Sequence, residues 1–282
     1  MSVFAGGEPQ YEMLQKQSDA GDDSRSPQSY VRERLDEQPD KTVNQVLLKP
    51  ALVARMLGAT TFLLILANCA ALLADYLTGY NSLLVHKLVK FFYVELELNA
   101  PAFFSMLLLL FASLLLTVIT VHKRKQKAAH LLEWTILSGG FLLMAFDEIA
   151  AIHERLIEPM RAIMGEQNLG FLYFAWVVPA IVLVTVLALF FLKFLWSLPM
   201  KTRLSFLIAA TLYLGGAVGF ELLEGKYSEI HGRENLIYIT MTTVEETLEM
   251  VGTIVFIRAL LGYFNDTYRE VRLRFDDFTS NF

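Results

Sequence analysis

Six stretches of the chain stay apolar long enough to cross a bilayer as helices, which takes about 20 residues. They run roughly from Leu52 to Leu77, Ala102 to Val121, Leu131 to Ile152, Phe171 to Leu195, Leu204 to Leu223 and Leu236 to Leu261. None shows the two-residue alternation of a half-buried strand. A seventh apolar piece, "LLVHKLVKFFYVELELNAP", is interrupted by Lys87, Lys90, Glu95 and Glu97, a pattern that belongs at the membrane surface or in a re-entrant segment. Asn99-Ala100-Pro101 closes it and opens the next span, because proline suits a first helical turn.

The flanks read differently. Residues 1–48 are polar, lack an apolar region followed by a cleavage site, and read as a cytoplasmic, largely disordered tail rather than a signal peptide. Within it "YVRERLDEQ" and "VNQVLLK" have the pattern of short amphipathic helices, and so does "DTYREVRLRFDDF" in a C-terminal tail of residues 265–282. The expected architecture is therefore an all-α polytopic membrane bundle of about six spans over residues 49–264.

Composition agrees with this, since 55% of residues are hydrophobic, 19% are charged and the mean hydropathy is +0.44. The net charge of −5 decides little until it is mapped onto the loops. Lys16, Arg25, Arg32, Arg34, Lys41 and Lys49 precede the first span, "HKRKQK" follows the second, Lys193, Lys201 and Arg203 follow the fourth, and Arg269, Arg272 and Arg274 lie in the tail. These sides are expected to be cytoplasmic, which puts both termini inside. The single cysteine, Cys69, lies in an apolar run and reads as a small buried residue, with no disulfide and no cysteine metal knuckle. Pro179 is expected to kink the fourth span, and two of Trp134, Trp176 and Trp196 to anchor helices at the interfaces.

Candidate chemistry comes from acids inside or beside the spans. At about 1.5 Å per residue, Asp147 on the third span, Glu221 on the fifth and Glu245 on the sixth reach a common level toward the outer side. On a helical wheel Asp147 and Glu154 share a face flanked by His153, while Glu148 points elsewhere; Glu221 pairs with Glu224, and Glu245 with Glu249. Gly215 and Gly219 form a small-xxx-small pattern that predicts close helix contact. Basic residues on that side are too few to neutralise the acids, so those on the spans must be protonated, line a wet cavity or share a cation.

The specific form of this expectation is a divalent-metal site (Fe, Mn or Zn). Asp147, Glu154, Glu221, Glu245 and Glu249 are its candidate ligands, His153 ligates or shuttles a proton, and Glu224 joins His153 in catalysis on a lipid or other amphiphile. A cation or proton transporter using the same carboxylates is the alternative, and a scaffold ordered by them is a third reading. Leu, Val, Ile, Phe and Ala fill the inner halves of the spans, which favours a one-sided site; a carrier would need a polar path through residues such as Thr135, Ser138 or Thr253. Nothing points to nucleic acid.

"GFELLEG" and "VEETLEM" weakly resemble glutamate motifs of intramembrane proteases, and Glu221/Glu224 and Glu246/Glu249 resemble the Glu-x-x-Glu units of iron permeases, without the accompanying basic and histidine residues. Taken together, "ELELNAP" before a span, "DEIAAIHE" at the end of the next, and "GFELLEG" followed by "EETLEM" resemble uncharacterised bacterial multi-pass membrane proteins over about Leu52 to Phe264. That resemblance implies a bacterial inner-membrane location and a six-span core, and it carries no activity.

Overall fold

A computed structural model describes residues 49–165 and 168–267. The two tails, with their three amphipathic segments, lie outside the described residues apart from Lys49 and the first residues after Phe264. The helices are α1 (Pro50–Leu77), α2 (Leu83–Phe92), α3 (Ala100–Lys125), α4 (Leu131–Ala150), α5 (Ile157–Met164), α6 (Val177–Ser197), α7 (Met200–Leu214), α8 (Glu221–His231) and α9 (Leu236–Thr267). The described residues contain no strand, so the fold is all-α. α7 and α8 continue into each other through a π-helical turn, Gly215–Phe220, and form one 32-residue helix, Met200–His231. With α1, α3, α6 and α9 this makes five helices long and apolar enough to cross a membrane. A sixth is counted if α4 and the segment Glu154–Met164, bent by 77° from it, are taken as one broken span.

Local chemistry sets several of these ends. Pro50 and Pro101 occupy first turns, where the missing N–H costs no helical bond. Asn99 caps α3 by accepting from the Ala102 N–H, and its amide donates to the Tyr93 carbonyl at 2.6 Å, which fixes the preceding loop. Ser82 caps α2 in the same way through the Val85 N–H. α4 ends where Ala151 takes a left-handed conformation, φ 45°.

The bundle has two storeys. Toward the end that carries Lys125 and Pro199, side chains from α3 (Leu108, Leu116, Ile119), α4 (Trp134), α6 (Phe194), α7 (Phe206) and α9 (Ile257, Leu260) close into one apolar core. Trp134 stacks on Tyr263 at 5.1 Å and meets Phe194 edge-on at 5.0 Å. α9 runs through the centre against α1, α3 and α7. Around this core the outward faces stay apolar, and on α6 Val182, Leu183, Val186 and Leu189 are all exposed. Such a surface would aggregate in water and is matched by lipid.

Several expectations need correction. The fourth span does not start at Phe171: residues 170–172 form a short 3-10 turn and α6 begins at Val177, so Pro179 sits in a first turn and no kink is required of it. Cys69 is exposed on α1 rather than buried. Among the tryptophans only Trp196 lies open at the surface, because Trp134 is in the core and Trp176 lines a cavity. Gly215 and Gly219 make no close interhelical contact. A β-carbon at Gly215 would meet nothing within 4 Å, and one at Gly219 only its own helix. The glycines that let α7 and α9 touch are Gly216, where a β-carbon would lie 2.8 Å from the Glu245 carbonyl oxygen, and Gly252, where it would lie 2.7 Å from the Tyr213 nitrogen.

Candidate functional site

The other storey is polar. The loop before α3, the end of α4, the segment before α6, the π-helical turn with the start of α8, and the first half of α9 enclose a cavity of about 160 Å³. All seven residues singled out in the sequence line it: Asp147, His153, Glu154, Glu221, Glu224, Glu245 and Glu249. So do Glu95, Glu97, Glu148 and Glu246, together with Tyr213, Trp176, Arg233, Tyr238 and Thr242. Ten carboxyl groups therefore face one arginine and one histidine.

Within this wall three carboxyls converge. One oxygen from each of Glu221, Glu224 and Glu245 lies within 4.8 Å of the others. The π-helical turn just before Glu221 and the close α7–α9 approach at Gly216 bring the two helices together here. Glu224 is 2% exposed, and its Oε1 has no hydrogen-bond partner. An unpaired buried carboxyl oxygen is costly unless something shares it. Carboxylate oxygens bound to one transition-metal ion at about 2.0–2.2 Å lie at most about 4.4 Å apart, so a small side-chain adjustment would let this triad chelate.

Asp147 is engaged elsewhere. Its Oδ1 accepts the His153 backbone N–H at 3.0 Å and its Oδ2 pairs with His153 Nδ1 at 2.7 Å. These two bonds close the turn after α4, orient the imidazole and leave Nε2 as its free edge. Burial alone would lower the His153 pKa, but the Asp147 hydrogen bond and the charges of Asp147, Glu221 and Glu154 outweigh it and raise it to about 9. The imidazole lies against Trp176, with centroids 4.8 Å apart, and the Trp176 indole N–H donates to Glu221 Oε1 at 2.9 Å. His153 is thus tied to the triad through one aromatic ring. Glu154 sits at the exposed rim, away from Glu221, Glu224 and Glu245 as a group.

Glu148 was expected to face away, yet it lines the same cavity as Asp147. A single-helix wheel cannot see that the cavity wraps around the end of α4. The loop acids Glu95 and Glu97 were missed as site residues for a related reason, since nothing in their spacing marks them as facing spans distant in sequence. Glu95 accepts from Tyr238 at 2.9 Å and also from Tyr93. Glu97 keeps one buried oxygen, Oε2, without a partner. Desolvation and the charge of Glu154 push its pKa up to about 7.

Fold and site together define a multi-pass all-α membrane protein, by the length and apolarity of its helices, with a carboxylate-lined cavity in one storey. The chain belongs to the family described as a domain of unknown function, DUF8692, which matches residues 52–264 and so takes in every residue of the cavity. No curated protein and no solved structure matches it.

Proposed function

We propose that the cavity holds a divalent metal ion, Fe, Mn or Zn, on the outer side of a bacterial inner membrane and serves a membrane-embedded enzyme, an oxidoreductase or hydrolase, acting on a lipid or other amphiphile. The observation that carries this reading is the triad Glu221, Glu224 and Glu245, with its buried, unpartnered Glu224 oxygen. Of Fe, Mn and Zn, an all-oxygen triad suits Mn best. The ion would supply Lewis-acid or redox chemistry, while His153, held by Asp147, is placed to move a proton at Nε2.

Transport is less well supported by the side chains below the site. Moving along α9 from Glu249, Met250, Ile254, Ile257 and Leu260 are buried in the apolar core. The hydroxyls named as a possible path are used locally: Thr253 donates to the Glu249 carbonyl, Thr135 to the Leu131 carbonyl, and Ser138 to the Ser113 carbonyl while pairing with the Thr117 hydroxyl between α3 and α4. A site open on one side fits an enzyme better than a carrier.

Elemental analysis of protein purified in mild detergent tests the proposal. Near-stoichiometric Fe, Mn or Zn in the wild type, lost in folded Glu224→Gln and Glu245→Gln variants, is the expected result. Metal content unchanged in both variants would overturn it.

A further inference from the structure

We propose that the cavity admits an amphiphile with a small neutral or cationic head, such as a long-chain amine or alcohol, from the membrane boundary, and that it discriminates against anionic phosphate heads. This rests on the reading of the cavity as an amphiphile site and adds the class of head it takes.

The position of the mouth carries the first step. Of the residues that line the cavity, Leu96, Glu154 and Arg233 are exposed, so the opening lies among them. Each has exposed aliphatic neighbours: Leu98 beside Leu96, Ile152 and Leu156 around Glu154, and Leu236 after Arg233. Leu98 is 64% exposed and held in the left-handed region at φ 57°, in the loop that Asn99 pins. A rim of this kind suits a hydrocarbon chain lying outside a polar chamber.

Size and charge carry the second. A cavity of about 150 Å³ accommodates a molecule the size of benzene, and this one, at about 160 Å³, accepts a head of similar size. The walls carry ten carboxyl groups, and if an ion occupies the Glu221, Glu224 and Glu245 triad, seven others still face the chamber. Against them stand Arg233, whose guanidinium lies over the Phe174 ring at 4.5 Å, and His153, which is engaged by Asp147. In the ion-free chamber the buried, unpartnered Glu224 oxygen is an acceptor at the inner wall that an ammonium or hydroxyl can satisfy and a phosphate cannot, and with the ion in place the buried, unpartnered Glu97 Oε2 remains as one. The ion's two positive charges with those of Arg233 and His153 fall short of ten ionised carboxyls, so the remaining acids are protonated or attract a further cation. A phosphate adds negative charge where an ammonium offsets it and a hydroxyl leaves it unchanged, and discrimination of roughly tenfold or more is the expected outcome.

Photoreactive dodecylamine, dodecanol and dodecyl phosphate, each with a diazirine near the head, test this on the full chain in phosphatidylcholine nanodiscs, with crosslinks mapped by mass spectrometry and metal measured on the same preparation. Amine and alcohol probes are expected to label residues around the mouth and cavity roughly tenfold more than the phosphate probe, while all three label the outward face of α6 equally. The variant Glu154→Lys, at the exposed mouth, is expected to shift labelling toward the phosphate. Equal cavity labelling by the phosphate probe, or none by any probe, would overturn the inference. The two readings fail separately: metal bound with no head preference sinks this inference alone, whereas preferential amine and alcohol labelling of metal-free protein sinks the metal site alone.

Discussion

Asp147 is engaged by His153 and not by the converging glutamates. It accepts two hydrogen bonds from His153, one from the backbone and one from the ring, at the point where α4 ends. Asp147→Asn keeps the shape but weakens both bonds, and hydrogen bonds to charged groups contribute about 1.5–3 kcal/mol. A loss of roughly 1–3 kcal/mol in thermal stability is expected with metal content retained; loss of metal with unchanged stability would make Asp147 a ligand instead. Glu97 gives a test in pH. Its pKa is raised from an ordinary 4.5 to about 7, first by burial and then by Glu154. Below pH 4.5 folded and unfolded chains are both protonated there; between 4.5 and 7 the unfolded chain releases its proton first, so this group's contribution to stability falls, and above 7 the loss is complete. Glu97→Gln removes that slope. The variant should match the wild type in Tm near the acid end of this window and exceed it above pH 7; the shift should be small, because the side chain is only half buried. A constant difference across pH would refute the assignment.

Elements were legible to different degrees. Long apolar runs announce helices because the bilayer requires a fixed length, and Asn99 with Pro101 marks one start. Local geometry was not legible where two elements decide it together. The π-helical turn at Gly215–Phe220 alters the register of the helix, and the glycine of this helix that meets α9 is Gly216, not Gly215 or Gly219 of the small-xxx-small pattern. The unwound residues before Val177 are as apolar as a helix. They are held instead by Glu229, which accepts from the Leu169 and Gly170 N–H groups, and by close packing on Gly225. This yields a contrast at the α7–α9 contact. Gly252→Ala would place a β-carbon against the Tyr213 backbone and is expected to cost about 1–3 kcal/mol by overpacking. Gly215→Ala meets nothing and is expected to be neutral or to stabilise by up to about 1 kcal/mol through helix propensity. Equal thermal shifts for the two variants would remove the special role of Gly252.

At the scale of the whole molecule the two storeys differ in charge as well as in packing, and this leads to a prediction of which way the cavity faces. The end opposite the cavity carries Lys49, Lys123, Arg124, Lys125, Lys127, Lys193, Lys201 and Arg203, all within short loops or helix ends. Short basic loops are retained on the cytoplasmic side, so the cavity should open outward. Cysteine accessibility tests this cleanly, because Cys69 is the only cysteine and Cys69→Ala leaves an unreactive background. In that background, Glu154→Cys lies at the exposed mouth and Gln126→Cys at the exposed end of α3. A membrane-impermeant maleimide added to intact cells is expected to label the Glu154→Cys protein and leave the Gln126→Cys protein unlabelled until the membrane is permeabilised. The opposite pattern would place the carboxylate chamber on the cytoplasmic side. An enzyme reached from outside would then be excluded, and any amphiphile would have to come from the inner leaflet. Labelling of both positions in intact cells would require a water path through the apolar storey, and transport would then displace the enzyme reading.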